Sequence, residues 1–269
     1  MKRLLIYIMA ILGIAASASA VEYEVKDSTL IVPAGVVKIP SYKFADRTDF
    51  KYIEFAEPCR VNEIGDYAFL GCSNLEEVSL PVTVQKIGEG TFRECEKLKK
   101  AEIPTLTVVP SYAFAWCTRL RQVMLGKLLT EIKSHAFAYC RTLDHIKLPM
   151  GLVNIRSNAF SFCSVLRFIS IPPSVRQLES YAFSECISLQ NVILPSNSSE
   201  LGELIFSGCR NLRSIHILSD IPPKFECNSN FFEENESQMY SRCVVKVHPH
   251  SVAKYRQAKA WKLFKQIEG

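Results

Sequence analysis

The sequence has little net charge and no cluster of charge of one sign. Its formal net charge is +5, and the lysine and arginine residues are interspersed with acidic residues along the chain. A protein that binds nucleic acid usually concentrates its basic residues in one patch or stripe. We therefore expect no nucleic-acid partner.

The motifs of catalytic and cofactor chemistry are also missing from the sequence. It contains no glycine-rich phosphate-binding loop, and its acidic residues form no recurring pair. No serine or cysteine nucleophile elbow accompanies the five histidines. His248 and His250 would need a third ligand to bind a metal, and none is near in sequence, so a turn is the better interpretation. We expect no enzymatic activity, no cofactor and no metal.

Beyond its first twenty residues the sequence has no long apolar segment. Residues 1–20 begin with two basic residues, continue with an apolar run from Leu4 to Ile14 and end in Ala18-Ser19-Ala20, which is typical of a signal peptide. The run is too short to span a membrane comfortably, since a span takes about 20 residues; an uncleaved N-terminal anchor is the alternative. No cysteine follows the cleavage site, as a lipoprotein would require. We expect an exported, soluble chain that begins at Val21 and is secreted, periplasmic or at the cell surface.

The main positive feature of the sequence is a repeat of phenylalanine. Eight phenylalanines recur at separations of 25, 23, 22, 23, 23, 23 and 23 residues: Phe44, Phe69, Phe92, Phe114, Phe137, Phe160, Phe183 and Phe206. A period in the low twenties is typical of solenoid proteins, in which each unit buries its apolar face against its neighbours. The spacing therefore predicts one continuous solenoid.

Each unit follows a longer pattern, I-x-x-x-A-F-x-x-C-x-x-L-x-x-I-x-L-P. The segment from the leucine to the proline alternates apolar and polar residues, which predicts a short strand with one buried face. Proline ends this strand in most units because it has no N–H to donate, and Gly126 replaces it in the fourth unit. The alanine before the phenylalanine would allow a tight turn or a short helix to pack against the strands. The first unit is degenerate, with Phe50 in place of the leucine and Arg47 in place of the cysteine.

These units resemble the bacterial BspA-like leucine-rich repeats over residues 37–218, and residues 247–267 are similar to the segment that often closes such repeats. The resemblance implies an α/β solenoid: a right-handed superhelix of about eight units of 22–25 residues, with a parallel β-sheet on its concave face. It also implies secreted or cell-surface proteins that bind other proteins, some of them host matrix proteins. It implies no catalytic activity.

The ends of a solenoid need caps that cover its exposed core. The chain is predicted to contain a signal peptide at residues 1–20, an N-terminal cap at 21–36, the solenoid at 37–218 and a C-terminal cap at 219–269. In the C-terminal cap, residues 244–247 are predicted to form a strand, and Ser251 to start a helix that buries Val252, Tyr255 and Ala258. Trp261 and Phe264 are expected to complete the seal.

Ten cysteines in an exported chain would ordinarily indicate a disulfide framework. Seven of them recur once per unit, and we interpret them as a ladder of buried free thiols: Cys72, Cys95, Cys117, Cys140, Cys163, Cys186 and Cys209. Stacked units would point these Cβ atoms in parallel, which is poor geometry for a disulfide, and such ligands would not converge on a zinc ion. A disulfide between Cys227 and Cys243 would close a 17-residue loop. The sequence leaves two alternatives for this pair, a disulfide or two free thiols. Cys59 is expected to be unpaired.

Two surfaces are candidates for binding a partner, and the first lies on the concave sheet. The outward-facing positions of the predicted strands are mostly polar. Met124, Phe168 and Ile193 are apolar exceptions, with His145 and Lys147 between them. Exposed apolar residues can anchor a partner, although isolated ones are common on protein surfaces.

The second candidate surface is the column two residues after the repeat phenylalanine. Its outer units carry glycine or glutamate, whereas Trp116, Tyr139 and Phe162 occupy it in three consecutive units. Units about 4.8 Å apart would bring these rings into contact as one aromatic stripe. The alternative is that the rings only shield the turns. We expect a protein-binding module, with adhesion to host or matrix proteins as one role, and a carbohydrate-binding surface protein as the alternative function.

Overall fold

The chain winds into a solenoid in which most coils contribute one strand to a front face and one shorter strand to a side face. The computed structural model describes residues 22–195, 200–225, 230–233 and 236–269. The front-face strands are β1 (Glu24–Lys26), β2 (Thr29–Val32), β4 (Tyr52–Phe55), β6 (Glu77–Ser79), β8 (Lys100–Ile103), β10 (Gln122–Leu125), β13 (Phe168–Ser170), β15 (Asn191–Leu194), β17 (Ser214–Ile217), β19 (Val244–Lys246) and β20 (Gln266–Glu268). Paired strands of successive coils are parallel and in register, as for Val123 and Ala101, whereas β1 pairs antiparallel with β2.

The side face consists of two-residue strands that also pair in parallel. They are β3 (Lys38–Ile39), β5 (Glu63–Ile64), β7 (Lys86–Ile87), β9 (Val108–Val109), β11 (Glu131–Ile132), β12 (Asn154–Ile155), β14 (Gln177–Leu178), β16 (Glu200–Leu201) and β18 (Lys224–Phe225). From β3 to β16 their second residues point into the core, as shown by the buried side chains of Ile132 and Ile155. The parallel solenoid predicted from the repeat is confirmed.

The parallel sheets are interrupted where the repeat length changes. The unit of 25 residues has two extra residues between Phe55 and Val61, and the front-face sheet is interrupted there, between β4 and β6. The unit of 22 residues has one residue fewer between Pro104 and Leu106, and the side-face sheet is interrupted there, between β7 and β9. A change in coil length shifts the backbone so that the regularly spaced hydrogen-bonding groups no longer face each other. A third interruption, between β10 and β13, lies in units of the regular length.

The repeat phenylalanines form one stacked column at the centre of the core. Rings of neighbouring coils from Phe44 to Phe206 are stacked, with centroid separations of 5.1–6.1 Å. Phe231, outside the regular repeat, extends the column at 5.9 Å from Phe206. Phe50 packs edge-on against Phe44 and Phe69. All of these rings are buried, so the phenylalanine spacing directly records the stacking of the coils.

The segment around each repeat phenylalanine is a run of tight turns. Around Phe114, Tyr112 and Trp116 have positive φ angles of 59° and 66°. The backbone N–H of Tyr112 donates to Ser134 O at 3.1 Å, and that of Trp116 donates to Ala138 O at 2.8 Å, which joins the turn to the next coil. The tight turn, and not the short helix, is therefore the correct alternative of the two predicted. Helices in the described residues occur only in the C-terminal region.

The seven repeat cysteines are free and buried, as predicted, and their thiols also form hydrogen bonds. Each Sγ donates to the carbonyl oxygen of the repeat phenylalanine in the preceding coil, at 3.1–3.3 Å. The interpretation of cysteine as only a small apolar residue is incomplete, because the thiol is also a weak donor. Burial raises the pKa of Cys72 to about 12 and the pKa of Cys140 well above its usual range.

The raised thiol pKa values predict a loss of stability in alkali. A thiol whose folded pKa lies above its unfolded value stabilises the fold below the unfolded pKa, and this contribution is lost as the pH rises toward the folded pKa. For Cys72 this window runs from 9.0 to about 12. We expect the free energy of unfolding, measured by urea titration from pH 8 to pH 11, to fall in this window, and to fall less steeply in Cys140→Ala. Cys59→Ala, which removes a thiol outside the ladder, is the control; an equal slope in wild type and Cys140→Ala would contradict the prediction.

The C-terminal region covers the last ring of the phenylalanine column. Besides β19 and β20 it contains α1 (Met239–Arg242), α2 (Val252–Gln257) and 3-10 turns at Pro249–Ser251 and Trp261–Leu263, so the predicted strand and helix are both present. Tyr255 is buried as predicted, whereas Val252 and Ala258 are only partly buried. Trp261 packs edge-on against Phe231 at 4.8 Å, and its Nε1 donates to Pro223 O at 2.9 Å. Ser251 lies at the N-cap of α2, but its Oγ donates to Asp220 at 3.1 Å and not to the helix. This contact ties the C-terminal region to the segment that follows β17.

Candidate functional site

The structure brings the three predicted aromatic residues together in one stack. The ring centroids of Trp116 and Tyr139 are 3.8 Å apart at an interplanar angle of 7°, and those of Tyr139 and Phe162 are 4.3 Å apart at 6°. Trp116 is exposed, and the other two are half-buried. Arg141 lies over the Tyr139 ring at 5.8 Å from its centroid. Because the ring faces cover one another, this aromatic stack presents mainly ring edges to solvent, and the edges carry the positive part of the ring quadrupole.

All three residues of the aromatic stack adopt a left-handed backbone conformation, with φ angles of 66°, 63° and 61°. This conformation costs a non-glycine residue roughly 1–2 kcal/mol. Glycine occupies the equivalent position at Gly71 and Gly208. Stacking offsets part of the cost, by about 0.5–1.5 kcal/mol per ring pair. The turns themselves therefore do not require the rings.

A second aromatic column lies two residues before the repeat phenylalanine, and the sequence analysis missed it. Tyr42 stacks on Tyr67 at 5.1 Å, and Tyr112 stacks on His135 at 4.7 Å. Gly90 occupies this position between the two pairs. A side chain there would clash, because the Tyr67 ring lies 2.3 Å from where a Cβ of residue 90 would be. Burial lowers the pKa of His135. Comparing this position across the aligned units would have found the column.

The predicted apolar residues of the front face do not form one patch. Met124 and Phe168 are 51% and 48% exposed, whereas Ile193 is partly buried. Phe168 lies on β13, and Ile193 lies on the neighbouring β15. Met124 lies on β10, and residues 144–148 separate it from β13. The structure thus brings two of the three onto adjacent strands and places Met124 across an interruption.

This interruption lies at residues 144–148, where the fifth coil forms no front-face strand. In the described part of the chain, these residues form no backbone hydrogen bond to β10 or β13. Core residues at this level are slightly exposed, at 7% for Val123 and 8% for Ile146, whereas Ile169 in the next coil is fully buried. The front-face core side chains at this junction are therefore slightly more open to solvent than that of the next coil.

A cleft of about 530 Å³ opens between these two coils. We call it the β10 cleft; it is lined by residues 123–125, 127 and 147–151. Its volume lies within the 300–1,000 Å³ typical of ligand sites. Met124 and Met150 flank it and are 51% and 70% exposed. Met124 and Lys147 stand out in the sequence but the cleft does not, since an interruption within units of regular length leaves no sequence signal.

The charged residues that line the β10 cleft are both basic. They are Lys127 and Lys147, and neither forms an ion pair with another described residue. The acidic residues nearby have partners of their own. Glu102 pairs with Lys100 at 2.6 Å, and the hydrogen bond from that ammonium group lowers the pKa of the carboxyl; Asp144 contacts His145. Lys127 and Lys147 therefore give the lining of the cleft a positive charge.

The remaining predicted cysteine site is the bridge between Cys227 and Cys243. Cys227 lies outside the described residues, so the bridge stays a prediction. Cys243 carries a free and buried thiol, and burial raises its pKa to about 12. Cys59 is a free, partly buried thiol with its Sγ 3.4 Å from Thr83 Oγ1.

The two histidines considered as metal ligands stack on each other beside a carboxylate. Their ring centroids are 5.6 Å apart, and His250 Nε2 lies 2.8 Å from Asp220 Oδ1. Within the ranges that the structure describes, no three histidine, cysteine, aspartate or glutamate side chains are grouped to hold a metal ion. Over the same ranges, no helix has the length and apolar character that crossing a membrane requires.

Solved structures of leucine-rich-repeat proteins are similar to this chain. The one from T. pallidum is 28% identical, covers 78% of this chain and 85% of that chain, and has a TM-score of 0.49. The one from Bacteroides ovatus ATCC 8483 is 22% identical over 94% and 78% of the two chains, with a TM-score of 0.44. A leucine rich cell surface protein from Faecalibacterium prausnitzii A2-165 is 19% identical over 95% and 94%, with a TM-score of 0.34. No curated protein matches the chain.

The repeat family itself is identified by a family model. The model of the BspA type leucine rich repeat region matches the chain in six copies, over residues 22–144 and 107–238. The matched residues span most of the chain and include both the aromatic stack and the β10 cleft. The chain therefore belongs to the family of BspA-type leucine-rich-repeat proteins.

Proposed function

We propose that this protein is an exported protein-binding module whose contact surface includes the aromatic stack. The observation that carries the proposal is the stack itself: three rings gathered on the surface at positions where the same fold accepts glycine. Aromatic residues are enriched at protein interfaces. Rings already held by stacking also lose little conformational freedom when a partner binds. The BspA-type repeat family supports a binding scaffold.

Export is part of this proposal, and it rests on the sequence of residues 1–20. These residues have the basic start, apolar run and small-residue cleavage pattern of a signal peptide. The similar protein from F. prausnitzii is described as a cell surface protein. In such a location the stack would be open to host or matrix proteins, so adhesion is the finer role that we propose.

Carbohydrate binding is the second candidate function, and the geometry favours it less. Sugars bind aromatic residues through the open ring faces, whereas these faces are 3.8 and 4.3 Å apart and cover one another. Ring edges with positive quadrupole character suit the carbonyl and carboxylate groups of a protein better. The exposed side chain of Trp116 is the part of the stack most open to a sugar.

The proposal is tested with residues 21–269 and the triple variant Trp116→Gly, Tyr139→Gly, Phe162→Gly. Glycine is chosen because it fits the left-handed turns, so the variant is expected to stay folded. On a panel of immobilised extracellular-matrix proteins and glycans, we expect binding to at least one protein and an affinity loss of at least about tenfold in the variant. The wild-type chain is expressed with residues 1–20 and purified from the exported fraction, where mass spectrometry is expected to show Val21 as its first residue.

The matched control for this experiment is Tyr42→Gly, Tyr67→Gly. It removes a stacked ring pair from the second column, also at positive φ, and is expected to keep the binding. Equal binding by the wild type and the triple variant would show that the aromatic stack is not part of the contact surface. Binding to glycans alone would favour the carbohydrate alternative, and a first residue before Val21 would contradict cleavage at the predicted site.

A further inference from the structure

The β10 cleft lies where the front-face core side chains are slightly exposed to solvent. In the coil after the cleft, the core residue Ile169 is fully buried, whereas Val123 and Ile146 are 7% and 8% exposed. The flanking Met124 and Met150 are unbranched and polarisable, and methionine adapts its shape to different apolar groups. The cleft therefore offers an apolar floor and adjustable walls, which suits the insertion of one aliphatic side chain.

The backbone of the segment that runs into the cleft is not paired with the neighbouring strands that the structure describes. Residues 144–148 form no backbone hydrogen bond to β10 or β13 in the described part of the chain. Over most of the front face the equivalent groups pair with the next coil, as β8 does with β10 over four residues; the junction between β4 and β6 is the other interruption. Alternating N–H and C=O groups are complementary to the main chain of an extended peptide, which is how strands add to exposed sheet edges.

The charge at the mouth of the cleft selects among such peptides. Lys127 and Lys147 line the mouth without an acidic partner among the described residues. Each can donate a charge-assisted hydrogen bond to a carboxylate. A basic peptide would be repelled at the same place.

We infer that the β10 cleft binds an extended segment of a partner protein that carries an aliphatic side chain next to an acidic one. The aliphatic group enters between the fourth and fifth coils, the acidic group pairs with Lys127 or Lys147, and the main chain follows residues 144–148. This inference rests on the proposed function, because it names one part of a protein ligand. It involves a surface other than the aromatic stack, so the two can fail separately.

The methionines of the chain provide a direct test. Residues 21–269 contain three: Met124 and Met150 at the cleft, and Met239, which is 2% exposed in α1. With ¹³C-methyl-methionine labelling, we expect the peptide acetyl-Leu-Asp-Leu-Asp-Leu-amide to shift the methyl signals of Met124 and Met150 in a saturable way. The Met239 signal is expected to stay in place and to report that the fold is intact.

Two comparisons decide whether the binding has the inferred chemistry. The peptide acetyl-Leu-Lys-Leu-Lys-Leu-amide, and the acidic peptide with a Lys127→Glu, Lys147→Glu variant, are each expected to bind at least tenfold more weakly. Sodium decanoate, which has an aliphatic chain and a carboxylate but no peptide main chain, tests whether the cleft binds a fatty carboxylate instead of a peptide. The inference is overturned if the acidic peptide gives no saturable shift, if the lysine peptide binds equally well, or if decanoate binds and the acidic peptide does not.

The matrix-protein panel keeps this inference distinct from the proposed function. The Lys127→Glu, Lys147→Glu variant is measured on the same panel as the triple glycine variant. If the triple glycine variant loses protein binding and the acidic peptide leaves Met124 and Met150 unshifted, the inference about the cleft fails and the proposed function stands. If the panel shows no protein binding while the peptide shifts both signals, the proposed role of the aromatic stack is contradicted and the inference about the cleft is supported.

Discussion

Replacing Phe137 by alanine is expected to lower the free energy of unfolding by about 3–5 kcal/mol, the range measured for buried phenylalanines. The Phe137 ring is fully buried and stacks on Phe114 at 5.4 Å and on Phe160 at 5.3 Å. Its removal would leave a cavity between two coils, and the backbone of those coils is joined by hydrogen bonds that resist collapse around it. The effect is measured by urea unfolding followed by circular dichroism.

The matched control is Phe168→Ala, the same substitution at a front-face position. Phe168 is 48% exposed, and partly exposed side chains away from the core contribute little to stability, so we expect a loss of less than about 1 kcal/mol. Similar losses in the two variants would show that the phenylalanine column does not dominate the stability of the solenoid.

Replacing Trp261 by alanine is expected to have a similarly large effect, of about 3–5 kcal/mol, centred on the C-terminal region. Trp261 is 1% exposed, packs edge-on against Phe231 and Tyr255 at 4.8 and 5.3 Å, and donates from Nε1 to Pro223 O at 2.9 Å. Its loss would leave that carbonyl without the indole donor and open the end of the phenylalanine column. Because solenoid coils stabilise their neighbours, the C-terminal region is expected to unfold before the central coils.

Hydrogen exchange read by mass spectrometry tests this order of unfolding. In Trp261→Ala we expect faster exchange in residues 236–269 than in residues 100–195. The chain has two tryptophans, and Trp116→Gly is the control because Trp116 is 38% exposed at a left-handed position that glycine suits. Uniformly faster exchange along the chain, or an equal loss of stability in Trp116→Gly, would argue against a local sealing role for Trp261.

Most of the core could be predicted from the sequence because each coil repeats the same local pattern. The alternation after each repeat leucine gave the front-face strands except in the fifth unit, where the strand predicted at residues 144–148 is absent. The phenylalanine spacing gave the column from Phe44 to Phe206. The departures from 23 residues, near Pro58 and Pro104, are visible in the sequence, but the interruptions of the sheets at these places were not predicted from them. Phe231 was not predicted to continue the column because it follows no repeat pattern.

The candidate site was only partly predictable. Trp116, Tyr139 and Phe162 are separated by the repeat period of 23 residues, which predicted that they form one column. The structure shows the expected ring contact. The left-handed turns beneath these rings were not anticipated, because large aromatic residues rarely adopt that conformation. The grouping of Met124 with Phe168 and Ile193 on one face was predicted, but the interruption between them was not.

The sequence by itself determined the repeat, the buried face of each strand and the positions of phenylalanine and cysteine, since these depend on residue type at a fixed period. Only the tertiary structure decided where neighbouring coils stay hydrogen-bonded and where they separate. It also decided that the Cys140 thiol donates to Phe114 O and that Ser251 bonds Asp220 instead of its own helix. The physical reason is that these contacts depend on the distance between coils, which is set by the packing of the whole solenoid and not by the residues of one unit.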